Sequence, residues 1–253
     1  MYTFSGPKGL LEDKNPIIFV HGTGMDHTVW TLPTRHFLRK NRGVLSIDLP
    51  GHGKSEGPLL SSVEDFANSI LEYLDKRNIE NFSLVGHSLG SLIALELSSL
   101  ASNRNLSLVL IGTAFPMMVS DQLLELAKDN KDEAIDILTY FGYSNNSRIG
   151  LNSNPGIWMT GSTKKLMLKS KDDVIYNDLL ACANYKNGIE SAKNIKASTT
   201  LILGGEDKLT PKRFTESLIE NLDAPNIKTI KSSGHSLMME RPNEVLDILK
   251  EVL

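Results

Sequence analysis

The feature that most constrains the fold of this chain is a series of short apolar runs that alternate with stretches of helical periodicity. The runs are rich in β-branched residues and are bounded by Gly, Pro or Asp, as buried parallel strands are. They cover residues 17–20, 44–47, 82–85, 106–111, 199–203 and 227–230. Helical patterns lie between several of the runs, over 62–74, 89–100 and 244–253. This alternation predicts an α/β protein with a mostly parallel, doubly wound sheet and helices on both faces.

One long segment interrupts the alternation. Between residues 114 and 195 no run has the composition of a strand, whereas 120–128 and 132–140 have helical periodicity. A stretch rich in Gly and Asn, from 142 to 156, predicts a loop. The length of 253 residues suits one domain that carries a sizeable insertion. We therefore predict a core of residues 1–113 and 196–253, and a helical insertion at 114–195.

The composition excludes several classes of protein. The chain has 27 Lys and Arg against 30 Asp and Glu, a net charge of -3, so it lacks the electrostatic signature of a nucleic-acid-binding protein. Its single cysteine, Cys182, excludes an intramolecular disulfide, and we expect a buried thiol there. The first residues form no basic or apolar leader, and no apolar run has the length of a membrane span. We predict a cytoplasmic protein that binds neither nucleic acid nor membrane, and its oligomeric state stays open.

The strongest signal for chemistry is the pentapeptide Gly86-His87-Ser88-Leu89-Gly90, which lies between a predicted strand and a predicted helix. A G-x-S-x-G sequence in this position is typical of a tight turn that lifts the serine hydroxyl above the end of the sheet. Glycine is needed there because larger side chains would collide with the neighbouring strand and helix. We predict that Ser88 is a nucleophile. The alternative is an ordinary strand-to-helix turn.

The chain also offers an acid and a base for this serine. A serine hydroxyl is a weak nucleophile, so it needs a base, and the base needs a carboxylate to orient it. The expected order is serine, then acid, then histidine, and Asp207 and His235 satisfy it. Each follows a predicted strand, and open α/β sheets place their sites at the carboxyl ends of strands. Glu206 is the alternative acid; Asp207 could also cap a turn, and His235 could be an ordinary loop histidine.

A glycine-rich turn, His21-Gly22-Thr23-Gly24, directly follows the first strong strand. The tetrahedral intermediates of acyl transfer carry an oxyanion, which fixed backbone N–H groups stabilise. The expected donors are the N–H of Leu89, the residue after the nucleophile, and one from this early turn, which we assign to Thr23. Such a turn is weak evidence alone, but its place in the order of motifs supports the assignment.

Together these motifs give the chain a resemblance to a known family. It resembles the α/β-hydrolase superfamily over nearly its whole length, in the segments VHGTGMDHTVW, DLPGHGKS, LVGHSLGSLIALE, LILGGEDKLTP and GHSLMMERP. The resemblance implies the α/β-hydrolase fold with a helical cap inserted after the sixth strand, here residues 114–195. It also implies the catalytic residues Ser88, Asp207 and His235, with Thr23 and Leu89 as oxyanion donors. One departure is that only 16 residues precede the first strong strand, so the usual leading hairpin must be short or partly absent.

Other motifs give no support for a nucleotide, metal or cofactor. The sequence Gly51-His52-Gly53-Lys54-Ser55 is similar to the end of a phosphate-binding loop, but the full spacing needs glycine at position 48, which is Asp48. The six histidines show no ligand spacing with carboxylates, so we predict no catalytic metal. We expect structural roles for His21, His52 and His87, and no cofactor.

The insertion supplies apolar residues for a substrate pocket. A soft apolar set that suits an acyl group consists of Phe115, Met117, Met118, Trp158, Met159 and Met167. From this set we take Phe115, Met118, Trp158 and Met159 as candidate substrate-binding residues. The alternative for each of them is that it packs only inside the cap.

These predictions converge on a small-molecule hydrolase. The serine argues against superfamily branches that use an aspartate nucleophile, such as haloalkane dehalogenases and epoxide hydrolases. We predict cleavage of a carboxylic ester with a small to medium acyl group through an acyl-enzyme, as in a carboxylesterase. A lactonase, thioesterase, perhydrolase or C–C bond hydrolase would use the same catalytic residues. A ligand receptor without catalysis is the alternative from another class, because fold does not fix function.

Overall fold

A computed structural model describes residues 1–7, 9, 10, 13, 15–151 and 156–253. Its strands are β1 Thr3–Phe4, β2 Ile17–Val20, β3 Val44–Ile47, β4 Phe82–His87, β5 Asn105–Ile111, β6 Ser198–Gly204 and β7 Asn226–Ile230. They form one sheet in the order β1-β3-β2-β4-β5-β6-β7. The pair β1 and β3 is antiparallel, and the other neighbouring strands are parallel. The carboxyl ends of β2 to β7 therefore meet at one edge of the sheet.

Helices cover both faces of this sheet. The α-helices are α1 Thr31–Arg39, α2 Val63–Lys76, α3 Leu89–Leu100, α4 Asp121–Asp129, α5 Lys131–Gly142, α6 Asn145–Arg148, α7 Met159–Leu168, α8 Val174–Asn184, α9 Gly188–Asn194, α10 Glu216–Asn221, α11 Leu237–Glu240 and α12 Pro242–Val252. Short 3₁₀ helices span His27–Trp30 and Lys212–Phe214. In the described part of the chain, no helix has the length and apolar character needed to cross a bilayer.

The sheet divides the core into two apolar layers. Because side chains of a strand point alternately to opposite faces, Ile18 and Val20 of β2 join one layer, whereas Ile17 and Phe19 join the other. The first layer is the larger and takes in α2, α3 and α10, and the second packs against α1 and α12. Every residue of β2, β3 and β4 is buried, which explains why these strands are mostly apolar.

The predicted parallel α/β architecture is confirmed. All six predicted strands are present with ends shifted by at most two residues, and the three predicted core helices correspond to α2, α3 and α12. The insertion follows β5 in chain order. The insertion is predicted after the sixth strand. In the described residues the leading hairpin contributes one strand of two residues, β1, so the corresponding strand is β5.

The sequence patterns missed several helices. α1 buries only Pro33, Thr34 and Phe37, so its apolar stripe is narrow. The predicted loop from 142 to 156 contains α6, whose first residue follows an N-cap at Ser144. Positions 152–155 of that predicted loop lie outside the described residues.

The segment between β5 and β6 is helical in the described residues, from α4 to α9. Helices α4, α5, α7 and α8 share a small apolar cluster of their own. Cys182 and Tyr185 belong instead to the larger layer of the core, as does Ala192 of α9. The last part of the segment therefore packs on α3, and the first part forms a separate layer at the carboxyl edge of the sheet.

Candidate active site

Ser88 occupies a strained turn between β4 and α3. Its backbone has φ 55° and ψ -123°, a conformation that L-residues rarely adopt and that is characteristic of functional sites. The Ser88 N–H donates a hydrogen bond to the carbonyl of Ile111 at the end of β5, at 3.0 Å, which ties the turn to the neighbouring strand. The serine is half-buried, so its side chain is accessible from the cavity above it.

The two glycines of the motif let the backbone segments approach closely. A side chain at Gly86 would overlap the backbone of Gly90, and one at Gly90 would overlap the carbonyl oxygens of Val20 and His21. Strand β2, strand β4 and helix α3 therefore meet here with no space between their backbones. This close packing is the physical reason for glycine at both positions, and it holds the Ser88 turn rigid.

Asp207 and His235 form a buried hydrogen-bonded pair. The Nδ1 atom of His235 lies 2.8 Å from Oδ2 of Asp207, and both residues are less than a tenth exposed. Because a carboxylate oxygen accepts, Nδ1 carries the hydrogen, and the second ring nitrogen, Nε2, is left as an acceptor in the neutral ring. Thr210 adds a further hydroxyl, 2.7 Å from Oδ2 of Asp207. The loops after β6 and β7 thus fix the orientation of the imidazole.

The carboxylate of Asp207 is stabilised as an anion. Burial by itself would raise its pKa, but the facing His235 and the hydrogen bonds from Thr210 outweigh burial and lower the pKa to about 2. Oδ1 of Asp207 also accepts from the backbone N–H of Leu209 at 2.9 Å. The neighbouring Glu206 points elsewhere, because its Oε2 atom accepts from Asn145 N–H at 3.4 Å.

The turn that contains Thr23 lies directly beside Ser88. A side chain at Gly22 would come within 3.1 Å of Ser88 Cβ, and Thr23 lines the same cavity as Ser88. Leu89 is the first residue of α3, so its N–H has no acceptor within its own helix. The two backbone donors predicted from the sequence, those of Thr23 and Leu89, therefore lie on the two segments that flank the serine.

Two neutral histidines support this region. His87 Nε2 donates to the carbonyl of His235 at 2.9 Å, and burial, followed by the nearby His235, lowers the His87 pKa to about 3. His21 donates from Nδ1 to the Gly22 carbonyl and accepts at Nε2 from Leu49 N–H. Burial, followed by nearby His52, lowers the His21 pKa to about 3. Both rings are thus neutral parts of the scaffold, as their predicted structural role requires.

An apolar cavity of about 80 Å³ lies over Ser88 and His235. Core residues form its floor, and residues between β5 and β6 form its roof. The lining comprises Thr23, Met25, His87, Ser88, Met117, Met118, Val119, Leu123, Leu138, Thr139, Gly142, Thr163, Met167, Leu179, Cys182, Leu209, Thr210, His235 and Ser236. Four of these are methionines, whose flexible side chains can change the shape of the cavity.

Of the four candidate substrate-binding residues, the structure places Met118 at this cavity. The side chain of Phe115 packs edge-on against Tyr185 at a centroid distance of 5.8 Å, on the core side of the segment. Trp158 is 70% exposed and lines a separate groove, and Met159 is buried at the start of α7. In the described residues, Phe115, Trp158 and Met159 are therefore not part of the cavity lining. The apolar pattern could not separate cavity, packing and surface, because all three use the same residue types.

The roof is bonded to the core on both sides of the cavity. On one side, Ser236 N–H donates to the Gly142 carbonyl at 2.9 Å, next to His235. The buried Glu240 accepts there from the N–H groups of Gly234 and Ser144, at 2.7 and 3.0 Å. On the other side, Asp178 of α8 accepts from Gly24 N–H at 2.8 Å. These buried polar contacts, which the sequence patterns did not reveal, join the roof to both loops of the site.

One group of side chains outside the cavity has the composition of a metal site. In the described residues, ligand atoms of Asp26, His27 and Asp48 lie within 4.8 Å of one another. Asp48 is already satisfied, however, because it accepts from His27 N–H, from His27 Nδ1 and from Lys54 N–H at 2.7 to 2.8 Å. These contacts make the Asp48 carboxylate a structural acceptor that holds the loop after β3.

Known proteins resemble this chain in sequence over most of its length. A family model described as "Alpha/beta hydrolase family" matches residues 17–248. A Mycoplasma pneumoniae protein provisionally named esterase/lipase 2 is 24% identical over 253 residues, which cover 95% of this chain and 89% of that protein.

Solved structures share the same fold. An esterase from Exiguobacterium antarcticum superposes with a TM-score of 0.84 at 17% identity and covers 98% of this chain and 97% of its own. An enol-lactonase from Burkholderia xenovorans LB400 gives a TM-score of 0.83 at 17% identity, over 99% of this chain and 94% of its own.

Proposed function

Because the chain belongs to the alpha/beta hydrolase family, we propose that it is a serine hydrolase that cleaves carboxylic esters of small to medium acyl groups. Ser88 is the proposed nucleophile, His235 the base and Asp207 the acid. Residues 114–195 are the proposed cap, and residues 1–113 and 196–253 form the catalytic core. The proposed cellular location is the cytoplasm, and the proposed partner is a small-molecule substrate.

The first half of the reaction forms an acyl-enzyme. The Ser88 hydroxyl attacks the carbonyl carbon of the ester while its proton moves to Nε2 of His235. The anionic Asp207 holds the imidazole by its Nδ1–H and stabilises the positive charge that develops on it. The N–H groups of Thr23 and Leu89 donate to the oxyanion of the tetrahedral intermediate. When the C–O bond breaks, His235 returns the proton to the departing alcohol.

The second half of the reaction reverses these roles. Water enters the cavity, gives a proton to His235 and attacks the acyl carbon. The second tetrahedral intermediate uses the same two N–H donors. Its collapse releases the carboxylic acid and returns the proton from His235 to Ser88.

The observation that carries this proposal is the convergence of Ser88 and the Asp207–His235 pair on one apolar cavity. The three residues come from the ends of β4, β6 and β7, which are far apart in the sequence. A structural role for the pair alone would not account for a serine in a strained conformation beside it.

The cavity supports the choice of acyl group. About 80 Å³ holds a short acyl chain, and each buried methylene contributes roughly 0.8 kcal/mol to binding. Longer chains must displace the cap side chains, and overpacking costs about 1–3 kcal/mol. We expect kcat/KM to rise with chain length and then to fall.

Covalent labelling with a fluorophosphonate tests the nucleophile. The wild-type chain should be labelled at Ser88, and Ser88→Ala should not be labelled. Ser236 lines the same cavity, so Ser236→Ala is the matched control and should still be labelled at Ser88. A label on Ser236 or elsewhere in the wild type contradicts the assignment.

Turnover of a matched panel tests the bond that is cleaved. A nitrophenyl ester, a lactone and a thioester with the same acyl length should be compared by kcat/KM, and the ester should be the best substrate. A higher value for the lactone or the thioester would contradict the proposed substrate class while leaving Ser88 as nucleophile. No turnover of any member, and no labelling, would indicate a receptor.

A further inference from the structure

One face of the cap helix α8 packs directly against the turn that carries Thr23. Ile175, Asp178 and Cys182 are separated by three and four residues, so they lie on the same face of the helix. A side chain at Gly24 would overlap Ile175, and Cys182 and Thr23 line the same cavity. A helix of the cap therefore borders the proposed oxyanion turn.

Asp178 makes the polar part of this contact. The residue is fully buried, and its Oδ2 atom accepts from Gly24 N–H at 2.8 Å and from His52 Nε2 at 2.9 Å. Its second oxygen, Oδ1, has no hydrogen-bond partner among the residues that the structure describes. A buried carboxylate is costly unless it is paired and hydrogen-bonded. The two partners of Oδ2 are therefore what holds this side chain in the interior.

The hydrogen bonds of His52 define its charge. Its Nδ1 lies 3.1 Å from the Pro50 carbonyl oxygen, and its Nε2 faces the carboxylate of Asp178. Both partners accept, so both ring nitrogens carry hydrogen and the ring is an imidazolium. Burial alone would lower the pKa of His52, but Asp178 outweighs it and raises the pKa, with a smaller contribution from Asp48.

The surroundings of this ion pair come from several elements. The neutral ring of His21 lies 5.0 Å from the ring of His52, between centroids. Phe66 of α2 lies on another side of His52, at 6.2 Å. The thiol of Cys182 also lies close to Asp178, and its pKa is raised by burial and then by Asp178. The pair is thus enclosed where cap and core meet.

We propose that Asp178 is a positioning residue of the cap. The His52 imidazolium holds the Asp178 carboxylate, which in turn fixes Gly24 N–H, and with it the N–H of Thr23, in position to donate to the oxyanion. This inference rests on the proposed function. It makes the cap a contributor to the chemical step, in addition to enclosing the substrate.

A carboxylate is the side chain that satisfies both donors at one atom. In Asp178→Asn, an oxygen at the Oδ2 position would leave the His52 charge unpaired, and an NH₂ there would face Gly24 N–H. The turn should then shift. Because a displacement of about 1 Å at a site can cost about a hundredfold in rate, we expect kcat to fall about ten- to hundredfold and KM to change little.

The first experiment measures Asp178→Asn against Asp172→Asn, which removes the same charge from an exposed position before α8. Its readouts are kcat, KM and the inhibition constant of a trifluoromethyl ketone, which forms a tetrahedral adduct with serine. We expect Asp178→Asn to lose affinity for the ketone in parallel with kcat, and Asp172→Asn to match the wild type. If Asp178→Asn only lowers the amount of active enzyme, so that kcat per labelled site and the inhibition constant are unchanged, the proposal is overturned.

The second experiment uses His52→Gln and does not depend on Asp178→Asn being folded. Glutamine can still donate to Asp178, so kcat near neutral pH should fall less than in Asp178→Asn. In the wild type, kcat should fall at alkaline pH as His52 loses its proton, and this fall should be absent in His52→Gln. A variant that keeps the alkaline fall would overturn the proposal. Activity that persists in Ser88→Ala would instead overturn the proposed function.

Discussion

The core and the proposed cap, residues 114–195, are stabilised in different ways. The core buries two large apolar layers on the two faces of a sheet, whereas helices α4, α5, α7 and α8 share one small cluster. Most of the large apolar side chains that are exposed in the described part of the chain also lie in this one segment: Met118, Tyr140, Phe141, Ile149, Leu151, Ile157 and Trp158. The polar bonds to the core therefore add to the apolar contacts of Met117, Cys182 and Tyr185 in fixing the position of this segment.

This difference separates two tasks. In the proposed mechanism, the residues for which small displacements stop the reaction lie at strand ends and tight turns of the core. The residues proposed to determine the size of the substrate lie in the proposed cap, which supplies three of the four methionines that line the cavity. The contacts of Gly24, Ser144 and Gly142 connect the two regions. If this division is correct, substitutions in the core and in the cap should differ in kind as well as in size.

The largest expected effect is in the core. Ser88→Ala and His235→Ala should each lower kcat about a millionfold, because the catalytic residues act as a unit. Neither change should prevent folding, since Ser88 is half-buried and position 235 lies in a loop outside the strands and helices. Steady-state kinetics with an activated ester, together with circular dichroism, measures both. A fall of less than a thousandfold in either variant would mean that another residue supplies the nucleophile or the base.

The next effect separates two neighbouring carboxylates. Asp207→Asn should lower kcat about ten-thousandfold, because the amide no longer holds the imidazole in the required tautomer. Glu206→Gln is the matched control, and it should change kcat little since Glu206 contacts Asn145 and not His235. The comparison is made by kcat at one pH. A greater loss in Glu206→Gln than in Asp207→Asn would show that the acid is misassigned.

The two pairs of a carboxylate with a histidine, Asp207–His235 and Asp178–His52, should stabilise the protein in opposite ranges of pH. The Asp207 pKa is lowered to about 2 from 3.8, so its contribution of about 2 kcal/mol to the free energy of unfolding is present above pH 4 and is lost as pH falls toward 2. The His52 pKa is raised, so its contribution is present below pH 6.5 and is lost as pH rises through the folded value.

Urea unfolding from pH 2 to pH 9 measures this contrast. Asp207→Asn should lose its stability difference from the wild type at acidic pH, and His52→Gln should lose its difference at alkaline pH. The same pH dependence in both variants would show that the core pair and the pair between core and cap are not distinct.

The smallest effect is in the cap. Leu138→Ala enlarges the cavity, so the optimum of kcat/KM across nitrophenyl esters should move to longer acyl chains. For those chains kcat/KM should rise about fourfold for each additional methylene that the cavity accommodates. Trp158→Ala removes a larger side chain that does not line the cavity, so it should leave the optimum in place. An optimum that moves in Trp158→Ala but not in Leu138→Ala would place the acyl group in the outer groove.

Sequence patterns predicted the core much better than the cap. A buried parallel strand is largely apolar, as β2 is along its whole length, so its place can be predicted without any knowledge of its neighbours. Glycines at Gly86 and Gly90 mark a turn that few other residues could form. In the cap, by contrast, Trp158 and Met118 belong to the same apolar class, and only packing decides which of them faces the cavity.

The buried hydrogen bonds between the proposed cap and the core also could not be predicted from the sequence. Asp178 lies in a helix, 126 residues from His52, and nothing in its neighbours distinguishes it from a surface aspartate. Its burial and its two partners result from how α8 docks on the loops after β2 and β3. Contacts of this kind can be found only in the tertiary structure, because the local sequence patterns of the two segments that they join give no sign of them.

The four methionines around the cavity give the site a chemical vulnerability. Oxidation converts a methionine thioether into a sulfoxide, which is polar and chiral, and reductases can reverse the change. At Met25, Met117, Met118 and Met167 the change would put polar S=O groups against the acyl chain, while Ser88, Asp207 and His235 would stay chemically intact. Peroxide should therefore weaken the use of longer acyl chains before it reduces the turnover of acetate esters. A product that is itself an oxidant, such as a peracid, would alter the walls of the cavity in which it forms.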